Sequence, residues 1–344
     1  MSNCQPTIEV LICTFRRSHL RRTLESLAAQ VLPPEVSIAV IVADNDDTPS
    51  ASDLVQDALG SFPHPLRYIH APARNISIAR NACLEAAQSA WVAFLDDDEV
   101  APPDWIGSLW RTICSTRADA AFGPVLANYP PGTPQWLLRL DFHSSRPVLR
   151  SGQVETGHTG NALLRWRGAP WMGLRFDVQR GVTGGEDTAF FFAARRMGAR
   201  YVAAPEATVH EEVPPQRLTL GWLARRRYRM GQTYVSSSCS RIGRLTLLVK
   251  AFFKVLACGA AALALLPWTE RRNYWALRGV LQLGVVVGCL TQQSSGAGLG
   301  QPPLPGPPDR AALIRSSAPP TDRMSKPSFF AQLRMRFSSR GRVS

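Results

Sequence analysis

Short apolar runs alternate with amphipathic stretches along the first hundred residues. Four runs rich in β-branched and aromatic side chains cover residues 8–13, 36–43, 66–69 and 91–95. This pattern is typical of buried strands, and stretches with helical periodicity follow the first and third runs at 18–30 and 78–89. The alternation predicts an α/β fold with a mostly parallel, doubly wound sheet. Ligands of such sheets bind at the carboxyl ends of the strands.

The pattern changes twice farther along the chain. After residue 103, shorter mixed segments rich in Trp, Gly and Arg continue to Pro215. Residues 218–254 then contain many Arg and Lys and no acidic residue, and two apolar runs follow. These runs, at 255–266 and 280–290, are short for spanning helices and predict a hairpin that lies in the bilayer or dips into it. The predicted regions are 1–102, 103–215, 216–290 and 291–344, the last being a disordered basic tail.

The composition limits the classes of binding partner and the cellular compartment that the chain is expected to have. A formal charge of +13 over 344 residues indicates an anionic partner, which is nucleic acid, anionic lipid or a phosphorylated substrate. The seven cysteines form no C-x-x-C pair, which favours a reducing compartment over a disulfide framework or a zinc site. No signal-peptide pattern precedes the first predicted strand, so the catalytic part is expected to stay in the cytoplasm.

Three acids, Asp96, Asp97 and Asp98, directly follow the fourth predicted strand. In an extended segment residues i and i+2 project to the same side, so Asp96 and Asp98 are expected to face a ligand together. Carboxylates crowded behind a buried strand repel one another and need a counter-charge. Mg²⁺ or Mn²⁺ supplies that charge, and such ions share carboxylates with substrate phosphates. The cluster predicts a site for a metal and a nucleotide diphosphate, with a solvated loop or helix cap as the plainer alternative.

Polar residues follow the first two predicted strands as well. Thr14 and Arg16 come after the first strand, and Asp44 comes after the second. Because the carboxyl ends of parallel strands lie at one edge of the sheet, these loops are expected to converge with the acids after the fourth strand. The Asp44 carboxylate can accept from a base N–H, and Arg74 or Arg80 can bind phosphate. A surface ion pair is the simpler interpretation of each arginine.

A series of motifs resembles family 2 glycosyltransferases of the GT-A fold. The motifs are CTFRR, VADND, RNISIARN, FLDDDE, TGN and GGED, and the likeness extends from about residue 8 to 215. Within that family, RNISIARNACLEA, FLDDDE, TGNALL, GEDTAFF and the EVPP stretch after His210 are most similar to bacterial glucosyltransferases of succinoglycan exopolysaccharide assembly. The resemblance implies that residues 1–102 form the nucleotide-sugar-binding half of a GT-A domain. Residues 103–215 would form its acceptor and catalytic half.

The resemblance also implies roles for individual residues. Asp187 is implied as the general base, with its neighbour Glu186 as the fallback. Asp98 is implied as a metal ligand, together with Asp96 and His210. The residues implied to bind the nucleotide sugar are Thr14, Arg16, Asp44, Asn75, Arg80, Asp96 and Asp97.

The expected activity is therefore an inverting sugar transfer that uses Mg²⁺ or Mn²⁺, with UDP-glucose as the first candidate donor. The expected acceptor is a lipid-linked glycan at the cytoplasmic side of the bacterial inner membrane, where the basic segment after Pro215 binds the anionic membrane surface. A sugar-nucleotide nucleotidyltransferase is one alternative, although TFRR stands where such an enzyme has a Gly-rich phosphate loop. A nucleic-acid-binding protein is the other, but no recognised reading motif accompanies the charge.

Overall fold

A seven-stranded sheet forms the centre of the molecule in the computed structural model, which describes residues 6–291 apart from 17, 151, 183, 239 and 240. The predicted tail lies outside this description from residue 292 onward. The strands are β1 (Thr7–Thr14), β2 (Ser37–Asp44), β3 (Leu66–His70), β4 (Trp91–Leu95), β5 (Glu99–Val100), β6 (Ala120–Phe122), β7 (Val125–Asn128), β8 (Leu149–Arg150), β9 (Gln153–Val154), β10 (Asn161–Arg165), β11 (Tyr201–Ala203) and β12 (Val209–Glu212).

Helices cover both faces of this sheet and make up the C-terminal part of the described chain. They are α1 (Leu20–Ala28), α2 (Ser52–Leu59), α3 (Ile76–Ala86), α4 (Trp105–Thr116), α5 (Gln135–Leu140), α6 (Glu186–Arg196), α7 (Leu220–Ser238), α8 (Arg241–Ala264) and α9 (Thr269–Thr291). A 3₁₀ turn at Pro215–Arg217 precedes α7. Helix α3 begins before its predicted start because Asn75 caps it, with Oδ1 accepting from the Ser77 N–H at 3.0 Å.

The order of strands in the sheet is β11-β6-β10-β4-β1-β2-β3. Strand β1 runs parallel to β2 and β4, and β2 runs parallel to β3, which confirms the four predicted strands as one parallel unit. Strand β10 is antiparallel to both β4 and β6, so the sheet is mixed but mostly parallel. The carboxyl ends of β1, β2 and β4 meet at one edge, where Thr14 pairs in register with Asp44.

The two faces of the sheet bury different helical layers. Ile8, Val10 and Ile12 of β1 pack into a core that includes α1, α2 and α4. Leu11 points the other way, into a core that includes α3 and α6. Each fully buried Ile, Val or Leu side chain stabilises the fold by about 1.5–3 kcal/mol relative to an exposed one. The alternation in β1 therefore fixes the sheet between two layers of helices.

A smaller sheet of order β5-β12-β7 lies beyond the end of β4. Strand β12 is antiparallel to β5, and this register places Glu211 opposite Glu99 and His210 opposite Val100. Residues from the second predicted half thereby meet the segment that directly follows Asp98.

The C-terminal helices are longer than the predicted apolar runs. Helix α8 has 24 residues, which at about 1.5 Å per residue is comparable with the hydrocarbon core of a bilayer. Residues Gly243–Ala264 and Thr269–Thr291 have the length and composition to cross a membrane, with mean hydropathies of 1.9 and 1.3. The lengths of the apolar runs are shorter than the lengths of the helices because each helix also includes polar residues outside its apolar run. Phe252, Phe253 and Leu256 of α8 are each more than half exposed.

Helix α7 joins the sheet domain to these apolar helices. It packs along α9 with the two backbones in contact, since a Cβ atom on Gly231 would lie 2.1 Å from the Leu281 carbonyl oxygen. A Cβ atom on Gly284 would lie equally close to the Tyr228 carbonyl oxygen. At its other side α7 contacts the start of α6, where a Cβ atom on Gly185 would meet the Thr233 methyl group.

Candidate active site

The three acids after β4 divide between the interior and the surface. Asp97 is buried, and its Oδ2 accepts a 2.7 Å hydrogen bond from the Thr14 hydroxyl. The Thr23 hydroxyl donates to the Asp97 carbonyl oxygen at 3.0 Å. Asp96 and Asp98 on either side are partly exposed. The segment therefore anchors itself through Asp97 and presents the other two carboxylates toward the open edge of the sheet.

Further carboxylates surround this pair. Buried Glu99 accepts from the Asp96 backbone N–H at 2.9 Å, and Glu211 faces Glu99 across the β5–β12 pair. Burial raises the pKa of Glu99 well above its usual value, and the charge of Asp96 raises it further. Burial also raises the pKa of Glu211, with Asp98 acting in the same direction. This concentration of negative charge is an environment that a divalent cation would stabilise.

Arg80 connects these acids to the start of α6. Its guanidinium is buried, forms an ion pair with Glu186 and lies 3.6 Å from Asp96 Oδ1. It also lies over the Phe176 ring, 5.6 Å from the centroid. The surrounding protein desolvates Asp96 and raises the pKa of its carboxyl, while Arg80 opposes that rise. Arg80 therefore compensates two acids that belong to distant motifs.

Asp44 occupies an enclosed position at the end of β2. Its carboxylate is fully buried and accepts from the Ala51 N–H at 2.7 Å, the Tyr68 hydroxyl at 3.0 Å and the Asp46 N–H at 3.1 Å. Burial raises the pKa of Tyr68, and its hydrogen bond to Asp44 raises it further. These donors fix the carboxylate beneath the loop that follows β2.

The arginines predicted beside the nucleotide are paired with acids of that loop. Arg16 Nε donates to Asp46 Oδ2 at 2.7 Å, which lowers the pKa of Asp46 to about 2. Arg74 forms a 2.5 Å ion pair with Asp47. Asn75 donates through Nδ2 to the Val178 carbonyl oxygen at 2.8 Å, so it joins α3 to the segment that leads to α6.

The structure separates the neighbours Glu186 and Asp187. Gly184 and Gly185 have φ angles of +92° and +89°, and this left-handed turn sets the direction in which α6 starts. Glu186 is buried against Arg80, and its Oε2 has no hydrogen-bond partner among the described residues. Asp187 instead lines a cavity of about 730 Å³. Its Oδ1 accepts from the Thr188 N–H at 2.6 Å.

The cavity lies between the sheet domain and α7. His158 lines it beside Asp187, and the Nε2 atom of His158 is buried without a hydrogen-bond partner among the described residues. Burial lowers the pKa of His158, although the charges of Asp187 and Asp96 oppose this shift. Residues of α7, including Trp222 and Arg226, form the facing wall. The volume is sufficient for a small-molecule ligand.

The third predicted metal ligand comes from a different part of the chain than the other two. His210 is on β12, and its Nδ1 is buried without a partner among the described residues. Within the described chain no three His, Cys, Asp or Glu side chains are grouped closely enough to hold a metal ion. Asp96 and Asp98 fit a magnesium or manganese site in which phosphate oxygens complete the coordination, since these ions are often bound by two carboxylates and substrate.

Comparisons with known proteins decide the family. The Glycosyl transferase family 2 model matches residues 9–169, and the model of Glycosyl transferase family group 2 matches residues 91–288. The chain is 44% identical over 286 residues to the succinoglycan biosynthesis protein ExoM of Rhizobium meliloti, covering 82% of this chain and 93% of that protein. The chain belongs to glycosyl transferase family 2. This membership confirms the predicted family and decides against the two alternative functions.

Other relatives of this family 2 glycosyltransferase are more distant. A glucosyl-dolichyl phosphate glucuronosyltransferase of Haloferax volcanii is 29% identical over 135 residues, 38% of this chain and 40% of that protein. A mannosyltransferase from Pyrobaculum calidifontis, solved with GDP-Man and Mn²⁺, superposes with a TM-score of 0.58 at 18% identity. That match covers 83% of this chain and 88% of the mannosyltransferase, and it confirms the predicted GT-A fold.

Sequence reasoning missed four groups at this site of the glycosyltransferase. Glu99 belongs to the FLDDDE motif and His158 immediately precedes TGN, so both stood beside recognised residues. Tyr68 lies in the third predicted strand, where no local signal connects it to Asp44. Arg226 is one of many basic residues after Pro215, and the position of α7 is what distinguishes it.

Proposed function

We propose that this family 2 glycosyltransferase transfers a sugar, with inversion, from a nucleotide diphosphate sugar to a lipid-linked glycan in exopolysaccharide synthesis. UDP-glucose is the first candidate donor, and a pathway of the succinoglycan type is suggested by the 44% identity to ExoM. The observation that carries the proposal is the position of Asp187. It faces a ligand-sized cavity, while buried Arg80 links its neighbour Glu186 to Asp96 at the sheet edge.

The proposed reaction is one displacement at the anomeric carbon of the donor. A hydroxyl of the acceptor, held in the cavity, attacks from the face opposite the nucleotide diphosphate. The new carbon–oxygen bond forms as the bond to the diphosphate oxygen breaks, and that oxygen keeps the electron pair. Asp187 receives the hydroxyl proton, a contribution of about 10²- to 10⁴-fold in rate.

The donor would lie at the carboxyl ends of β1, β2 and β4. Asp98 and Asp96 would hold Mg²⁺ or Mn²⁺ there, and the ion supplies charge neutralisation for the diphosphate. Asp44 is proposed to recognise the base and Arg16 to lie beside the nucleotide. Arg80 keeps Asp96 oriented by sharing its charge between that carboxylate and Glu186. Two further roles are proposed from the resemblance: His210 as an additional metal ligand and Asp97 as part of the nucleotide-sugar site.

A donor screen with each metal tests the activity. Release of UDP from UDP-glucose is expected with Mn²⁺ or Mg²⁺ and is expected to stop in EDTA. Replacing Asp98 by asparagine should raise the metal concentration for half-maximal release by at least about 10-fold. The matched control is D57N, which alters an exposed acid on α2. Pyrophosphate release from UTP, or a product that retains the donor's anomeric configuration, would contradict the proposal.

We also propose that the enzyme works at the cytoplasmic side of the bacterial inner membrane, attached through α8 and α9. The support is the exposed apolar surface of α8 together with the basic residues of α7. Apolar side chains favour the acyl region, and each Lys or Arg near an anionic surface adds about 1 kcal/mol.

Vesicle flotation with the full chain tests this attachment. The variant F252D/F253D is expected to reduce vesicle affinity by at least about 10²-fold, because two apolar side chains worth about 1.5–3 kcal/mol each are lost. The control V31D/V182D changes two exposed apolar residues of the sheet domain. Equal flotation of both variants would remove α8 as the anchor.

A further inference from the structure

The wall that α7 contributes to the cavity is lined by arginine. Five guanidinium groups border the cavity, and they belong to Arg146, Arg217, Arg225, Arg226 and Arg229. Two of the five are neutralised within the protein, since Arg146 pairs with Asp141 at 3.1 Å and Arg217 pairs with Glu211 at 2.6 Å. In the part of the chain that the structure describes, no carboxylate lies within 4.0 Å of Arg225, Arg226 or Arg229.

Arg226 is the least exposed of these three arginines. It is half-buried, and its guanidinium lies over the Trp222 ring, 5.4 Å from the centroid, while Arg217 lies 5.7 Å from the same centroid. Burial lowers the pKa of Arg226, the charge of Glu211 opposes this shift, and the charge of Arg217 adds to it. Three cations that line one cavity and lack a direct carboxylate contact attract an anion, so an anionic ligand is expected to bind beside them.

Phosphate suits the wall better than a single carboxylate. A guanidinium binds phosphate oxygens through two parallel N–H donors, and several arginines at one cavity favour a ligand with several anionic oxygens. The donor diphosphate is assigned to Asp96 and Asp98, and neither residue lines this cavity. The anion is therefore expected to arrive with the acceptor.

The remaining lining residues indicate an amphiphilic acceptor. Met230 and Val148 are exposed apolar residues of the same cavity, and Trp222 offers an aromatic face. Helix α7 packs along α9, which in turn packs against α8. A phosphate group bound at α7 would thus lie between the apolar helices and Asp187, the proposed base for the acceptor hydroxyl.

We propose that Arg225, Arg226 and Arg229 bind the diphosphate of the lipid-linked acceptor, with its glycan lying between this wall and Asp187. This assignment rests on the proposed function and adds a second anion site, distinct from the donor site. It gives three of the basic residues of α7 a specific ligand, in addition to the proposed attraction of α7 to the anionic membrane surface.

Binding of geranyl diphosphate to the full chain in detergent, with EDTA present, tests the site. EDTA removes the metal on which diphosphate binding at Asp96 and Asp98 would depend. The variant R226Q/R229Q is expected to raise the Kd by about 10- to 100-fold, the loss expected for charge-assisted hydrogen bonds. R226K/R229K should recover part of the affinity because it keeps the charge. The matched control R271Q/R278Q removes two exposed charges from α9, outside the cavity, and should stay within about 2-fold.

Three results would overturn the assignment. Equal weakening by R226Q/R229Q and R271Q/R278Q would mean that surface charge alone attracts the ligand. Equal affinity for inorganic pyrophosphate and geranyl diphosphate would mean that the site does not recognise a lipid-linked group. Equal weakening by D98N would place the ligand in the donor site. Because this assay uses neither donor nor metal, its failure is distinguishable from failure of the donor screen.

Discussion

Replacing Asp187 by asparagine is expected to lower kcat for sugar transfer by about 10²- to 10⁴-fold. Asparagine keeps the size of the side chain and can still accept from the Thr188 N–H, so the fold at the start of α6 should persist. It cannot take the proton of the attacking hydroxyl at neutral pH. The measurement is acceptor-dependent release of UDP from UDP-glucose, together with the melting temperature of the variant.

D177N is the matched control for this prediction. Asp177 lies shortly before the same motif, is exposed and pairs with Arg180 at 3.3 Å, away from the cavity. Its replacement should change kcat by less than about 2-fold. If D187N transfers sugar at a rate close to that of the unmodified enzyme, another group takes the proton and the proposed base is wrong.

Replacing Arg80 by methionine is expected to destabilise the fold by about 3–5 kcal/mol. The change leaves Glu186 buried without its partner and removes the cation that compensates Asp96. Such a loss corresponds to a fall in Tm of about 6–20 °C for a domain of this size. Thermal unfolding of the detergent-solubilised full chain, followed by circular dichroism, measures it.

Two further variants show whether the buried charge is the cause. R111M removes an exposed arginine that pairs with Asp104, and it should cost less than about 1 kcal/mol. R80M/E186Q removes both charges of the buried pair and should recover part of the Tm lost in R80M. A Tm for R80M equal to that of R111M would show that the pair does not stabilise this part of the structure.

The sheet and its functional edge follow from local patterns in the sequence. Ile8, Val10 and Ile12 alternate with residues that point to the opposite face of the sheet. The same alternation places Asp97 in the interior and its neighbours Asp96 and Asp98 at the surface. Both features depend on residues that are close together in the chain. The four parallel strands and the acids at their ends could therefore be predicted before any long-range contact was known.

Features that depend on distant contacts could not be predicted in this way. Glu186 and Asp187 are adjacent acids, and the contact that distinguishes them comes from Arg80, 106 residues away from Glu186. The antiparallel insertion of β10 beside β4 has no signature in the alternation of apolar residues. Arg226 belongs to a run of similar residues, and its special environment arises because α7 packs against the second half of the sheet domain.

The glycine contacts between α7 and α9 have a mechanical consequence for how the enzyme meets its substrate. With Gly231 and Gly284 holding the two backbones in contact, α7 cannot slide along α9 without a steric clash or a gap. A displacement of α9 would therefore be expected to move α7 with it, including the residues around Trp222 that line the cavity. If α9 is inserted as proposed above, the thickness of the bilayer would affect the position of the cavity relative to the membrane surface.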